Sequence, residues 1–263
     1  KGQTTVVGGD MTVNIGAKDN GGVLSGNGTV NGNVYGGRAL GVVNATSTKD
    51  GNGNITAYTP TAGKTVNVNI YAGTVNDNVY GGGKGQTGDL PVVAQNFGNT
   101  TVTVGAEYAS VAPTIGGSVY GGSNLNGLST GDVAVHVMSG TIGTSTESGH
   151  TGGNVHGGGY GQNTYVKGNV AVQIGNMNQT NGVAHILGDV YGGSAEGHVN
   201  AYPVTENADE NGRKYSTDKT TTVSLYAGTI DGDAYGGGLG TSDKPASVGG
   251  NVLVELNGTT TQN

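Results

Sequence analysis

The chain has 263 residues, of which 55 are Gly and 13 Tyr, with 5 Pro, one Phe and neither Cys nor Trp. Eighteen acidic against eleven basic residues give a net charge of −7; with no basic stripe to neutralise phosphates, the composition argues against a nucleic-acid partner. The lack of Cys excludes a disulfide framework and thiolate metal sites, and no apolar run approaches the roughly 20 residues of a membrane-spanning helix.

Taken in chain order, one signature recurs. It reads Asn33-Val-Tyr-Gly-Gly, Asn78-Val-Tyr-Gly-Gly, Ser118-Val-Tyr-Gly-Gly, Asn154-Val-His-Gly-Gly, Asp189-Val-Tyr-Gly-Gly and Asp233-Ala-Tyr-Gly-Gly. Its aromatic positions are Tyr35, Tyr80, Tyr120, His156, Tyr191 and Tyr235, spaced 35 to 45 residues apart. Variable loops therefore interrupt a constant unit. Ahead of the signatures run alternating segments: Thr65–Ile70, Thr101–Val104, Asp132–Val137, Asn169–Ile174 and Thr222–Ala227. A period of two with β-branched residues predicts strands, with Val66, Val68 and Ile70 on one face and Asn67, Asn69 and Tyr71 on the other. The same split is expected of Val133, Val135 and Val137, of Val170, Val172 and Ile174, and of Val252, Val254 and Leu256. Two strong strand cues are visible per unit.

Between strand and signature lie Asn31-Gly32, Asn76-Asp77, Gly116-Gly117, Gly152-Gly153, Leu187-Gly188 and Asp231-Gly232, most of which suit backbone of positive φ. A single unit cannot cover its own apolar face, and stacked copies can. The expected fold is therefore all-β, a parallel β-solenoid of six to seven coils over residues 1–263, spaced about 4.8 Å apart, with projecting loops. A propeller or tandem small sandwiches are the alternatives. Lys1-Gly2-Gln3-Thr4 repeats Lys84-Gly85-Gln86-Thr87, and Asn251–Thr259 is a strand with no signature after it. The array is expected to be a segment of a longer array or fibre, with copies of itself or adjacent repeats as end-to-end partners.

Candidate sites are few. Gly83-Lys-Gly-Gln-Thr-Gly88 fits a dinucleotide fingerprint by letters, but near-copies recur at 157–163 and 236–242 and no helix is expected after it, so it reads as a turn. Asp231 and Asp233 could be paired carboxylates, yet Asn31 and Asn33 fill the same positions, which is turn chemistry. Asp50-Gly-Asn-Gly-Asn54 has the front of an oxygen-rich calcium loop without its closing Glu. The five His (136, 150, 156, 185 and 198) are scattered. No catalytic residue, metal ligand or cofactor is assigned.

One constellation could bind a ligand: Tyr35, Tyr80, Tyr120, His156, Tyr191 and Tyr235, aligned along the stack. Exposed beside Asn33, Asn78, Asn154, Asp189 and Asp233, the rings would suit surface glycans or partner proteins. Covered, they are packing. The Val-Tyr-Gly-Gly units with Thr-Val-x-Val strands resemble the repeats of large bacterial surface and autotransporter-like adhesins. That resemblance implies export to the cell surface and a solenoid stalk or fibre used in adhesion or matrix building. A carbohydrate-binding solenoid and a polysaccharide-active β-helix are the other readings.

Overall fold

A computed structural model of the chain describes residues 5–20, 22–107, 109, 111–146, 149–206, 208–209, 211–257 and 260–261. The described residues form strands and turns, with no helix, in a parallel β-solenoid of seven coils. Residues 1–4 and 258–259, on which the comparison of the two chain ends partly rests, lie outside the described residues.

Each full coil contributes four strands, not the two legible in the sequence. A return strand such as Gly41–Val43 leads to a long strand (Thr65–Ile70), a threonine strand (Thr74–Val75) and an aromatic strand (Val79–Tyr80). Each pairs in parallel with its counterparts in neighbouring coils, giving three seven-stranded sheets and one six-stranded aromatic sheet. The threonine and aromatic strands are mostly two residues long, too short to display a period. The pairing runs between units rather than within them, which is what separates a solenoid from a propeller.

Alternation sets the register. Val68 pairs with Val13 and Val102, and Val102 with Val135, so the apolar positions form continuous columns. Val66, Val68, Ile70, Val135, Val137 and Ile174 are all within 1% of complete burial, each contributing roughly 1.5–3 kcal/mol relative to exposure. All of these but Val66 meet Val75, Ile115, Ile142, Val79, Val119 and Val155 from the two short-strand sheets in one core. The last long strand, Asn251–Leu256, keeps the register but not the burial: Val252, Val254 and Leu256 are 45–63% exposed.

Of the six turn pairs, only Gly152-Gly153 adopts positive φ. The expectation for the others is corrected: at Gly116, Gly117, Gly188 and Gly232 it is close approach of the preceding coil, not backbone handedness, that leaves no room for a Cβ, whereas a Cβ on Gly32 would meet nothing within 4 Å. A Cβ on Gly121 would meet the Gly157 carbonyl oxygen and lie 2.5 Å from Val133 Cγ1. The coil corner is that tight.

Insertions leave the coils at several corners. Hairpins Ala45–Lys49/Ile55–Pro60 and Ala201–Pro203/Arg213–Tyr215 both follow return strands. A third, Ala17–Lys18/Leu24–Ser25, follows the first long strand, and Gln86 and Val92 close another turn by exchanging backbone hydrogen bonds.

Candidate functional site

Parallel register places equivalent residues one strand spacing apart, about 4.7–4.9 Å. The six signature aromatics therefore stack into one column. Ring centroids are 5.0 Å apart for Tyr35–Tyr80, 4.8 Å for Tyr80–Tyr120, 4.9 Å for Tyr120–His156, 4.7 Å for His156–Tyr191 and 5.0 Å for Tyr191–Tyr235, with planes within 9° of parallel. The preceding Val or Ala points into the core, so alternation turns each ring away from it.

Most of the column is nevertheless covered. After the Gly-Gly step, residues Ala39, Lys84, Asn124, Tyr160, Ala195 and Leu239 bridge one another in parallel. Ala195 packs with Tyr80 and Tyr120 in one cluster, against which Tyr35 also rests. Asn124 Nδ2 donates to the Tyr35 hydroxyl at 2.9 Å. Tyr80, Tyr120, His156 and Tyr191 are buried, while Tyr235 at one end is 44% exposed. Each interior ring has both faces occupied by its neighbours, so a sugar ring has no interior face on which to stack. Burial pushes the Tyr120 hydroxyl up to about 12 and raises those of Tyr80 and Tyr191 further. It pushes His156 down to about 3.

Beside the rings runs a polar ladder. The side-chain oxygens of Asn33, Asn78, Ser118, Asn154 and Asp189 each accept the backbone N–H of the equivalent residue one coil on, at 2.8–3.1 Å. Where the ladder residue is Asp, the ring hydroxyl also joins it: Tyr191 donates to Asp189 and Tyr235 to Asp233, both at 2.8 Å. A second ladder precedes the long strands, from Asp10 to Thr65, Asn99 to Asp132, Asp132 to Asn169 and Asn169 to Thr220. Asx and Ser residues thus recur because each satisfies the next coil's backbone donor.

The remaining candidates have local partners. Asp231 contacts His185 at 2.9 Å, whereas Asp233 holds Tyr235. Asp50 spends one oxygen on the N–H groups of Asn52 and Asn54 and the other on the Asn54 amide, closing its own turn. Lys84 and Gln86 lie in bridges and no helix follows them. His136 is half-buried, and the His150 side chain lies outside those described. Among the described residues no three His, Asp or Glu side chains gather as a metal ion requires.

Sequence reading missed one cluster. Arg213 is buried, donates through Nε to Asp209 at 3.1 Å, and places Nη1 3.1 Å from both nitrogens of His198. His198 Nδ1 lies 2.8 Å from Ser247 Oγ. Desolvation and then the guanidinium push His198 down to about 4, so the ring is neutral near pH 7. The members are up to 49 residues apart in the chain, and no local pattern announces them.

Comparison with known families, curated proteins and solved structures gives no match. The fold and these columns carry the functional argument by themselves.

Proposed function

We propose that the chain is a structural, adhesive β-solenoid of an extracellular or cell-surface fibre, acting by stacking rather than by turnover. The observation that supports this reading is continuity. Long, threonine and return sheets run through seven coils, and the aromatic column and Asx ladders run with them. Such a body gains stiffness because each coil's backbone donors and apolar face are completed by the next. Val252, Val254 and Leu256 are open where their partners Thr221, Val223 and Leu225 are closed. A further layer of the same geometry, from the same chain or another copy, would cover them. The resemblance of the repeats to bacterial surface adhesins supports the cell-surface setting.

Electron microscopy and light scattering of the purified chain over a concentration series test the reading. End-to-end rods that lengthen with concentration are expected, and Val254→Lys with Leu256→Lys should shorten them. Discrete single solenoids at every concentration would sink the self-stacking proposal.

A further inference from the structure

The outward face of the return sheet carries a second column that is open where the aromatic one is closed. Register pairs Val42 with Gln95, Gln95 with Leu128, Leu128 with Tyr165, and Tyr165 with His198. Val42 and His198 are buried, whereas Gln95, Leu128 and Tyr165 are half-buried. These three line a groove of about 530 Å³ together with Pro91, Val93, Pro203 and the exposed Asn163. That volume lies within the roughly 300–1,000 Å³ typical of small-molecule sites.

We infer that this groove binds a neutral oligosaccharide, with Tyr165 as its ring platform. Three observations converge on that ligand. The first is a braced aromatic: Tyr165 rests on His198 at 5.1 Å between centroids, and His198 is itself held by buried Arg213. A ring fixed before binding loses little freedom on binding, and Pro91 and Pro203 stiffen the lining likewise. The second is unspent amide capacity. The side chains of Gln95 and Asn163 make no hydrogen bond to any described residue, so each offers two donors and an acceptor, the complement of adjacent sugar hydroxyls. The third is charge: every lining side chain is uncharged, which disfavours an acidic glycan or an ionic peptide.

A strand-adding peptide is the competing occupant, and the topology disfavours it. The strands Ala94–Asn96, Asn124–Ser129 and Tyr160–Val166 are each paired on both sides within the sheet, leaving no edge for backbone augmentation. This site supplies a ligand for the adhesive part of the reading above. It is measured on single chains, so its failure and the failure of self-stacking are separate results.

The test is calorimetric titration, with saturation-transfer NMR, of the full chain against maltohexaose, cellohexaose, mannohexaose and chitohexaose. At least one is expected to bind saturably, with contacts to a tyrosine ring. Tyr165→Ala should weaken that binding at least about tenfold. Asn163→Ala, at an exposed position that holds nothing in the fold, should weaken it roughly threefold or more. Tyr235→Ala, at the open end of the aromatic column, should leave it unchanged. Circular dichroism establishes that Tyr165→Ala is folded; should it unfold, Asn163→Ala and Gln95→Ala decide the question. Absence of saturable binding by all of these saccharides overturns the proposal. So does binding that survives the groove substitutions, or capture of a proline-rich peptide with no saccharide bound.

Discussion

The His156 ring stacks on Tyr191 at 4.7 Å with 3° between their planes, and its Nδ1 finds no hydrogen-bond partner. An imidazole thus stands where the other coils have a phenol, closed in by Tyr120 on its second face. The column tolerates it only uncharged. Burial holds its pKa near 3, against about 6.5 for a free histidine. Between those values the unfolded chain binds more protons than the folded one. Stability is therefore complete above about pH 6.5 and falls as pH drops towards 3, by up to about 1.4 kcal/mol per pH unit for this group. Phe in its place removes the titration and the unpaired buried nitrogen. We expect His156→Phe to raise Tm and to flatten the acid limb of a Tm–pH curve; an unchanged limb would show that His156 is not its source.

Glycine in the Gly-Gly step is a spacing device. A Cβ on Gly122 would come within 2.8 Å of Gly159 N, whereas one on Gly237, the equivalent residue of the last full coil, meets nothing within 4 Å. Neither position has positive φ. Gly122→Ala should therefore cost about 1–3 kcal/mol, the range for overpacking a tight site, and Gly237→Ala should stay within about 0.5 kcal/mol of neutral. Denaturant unfolding of both variants checks the contrast. Equal effects would mean that glycine is required there for some reason other than contact between coils.

How far the sequence announces this architecture depends on how local each signal is. The alternation of Val66, Val68 and Ile70 is written within six residues, and burial follows it. The aromatic column is equally legible, because parallel stacking converts a repeat position directly into a neighbour. Whether the rings are covered is not local: it depends on Asn124, Tyr160 and Ala195 folding back over rings from other coils. Two-residue strands such as Thr74–Val75 are too brief for a period to appear. The groove joins Pro91, Leu128, Tyr165 and Pro203 from four different coils, and no single repeat contains its pattern.

The Asx ladder gives a prediction about single side chains. Asn154 Oδ1 accepts the Asp189 N–H at 2.9 Å, in a partly buried bond spanning 35 residues. Asn154→Ala leaves that donor without its partner and should cost about 1–2 kcal/mol. Amide hydrogen exchange at Asp189 is the direct readout, because faster exchange there should precede any change in distant coils. Protection equal to that of the parent chain would assign the ladder no role in joining coils.

Arg213 ties the hairpin Ala201–Pro203/Arg213–Tyr215 to the return sheet through His198, while Asp209, in the hairpin's own loop, holds the guanidinium in place. The same hairpin supplies Pro203 to the groove lining, so its anchorage bears on ligand capture as well as on local order. Arg213→Ala should raise hydrogen exchange across residues 201–215 while the long strands, whose pairing does not pass through the hairpin, keep their protection. Acid should act in the same direction. The pKa of His198 is held near 4, below its unfolded value of about 6.5, so this contribution is present above about pH 6.5 and is lost as pH falls through 4. Protonated His198 would then face the Arg213 guanidinium, two positive charges against the one negative charge of Asp209. His198→Asn is expected to remove that pH dependence from the hairpin's exchange rates. Rates that stay equally pH-sensitive in the variant would place the responsible group elsewhere.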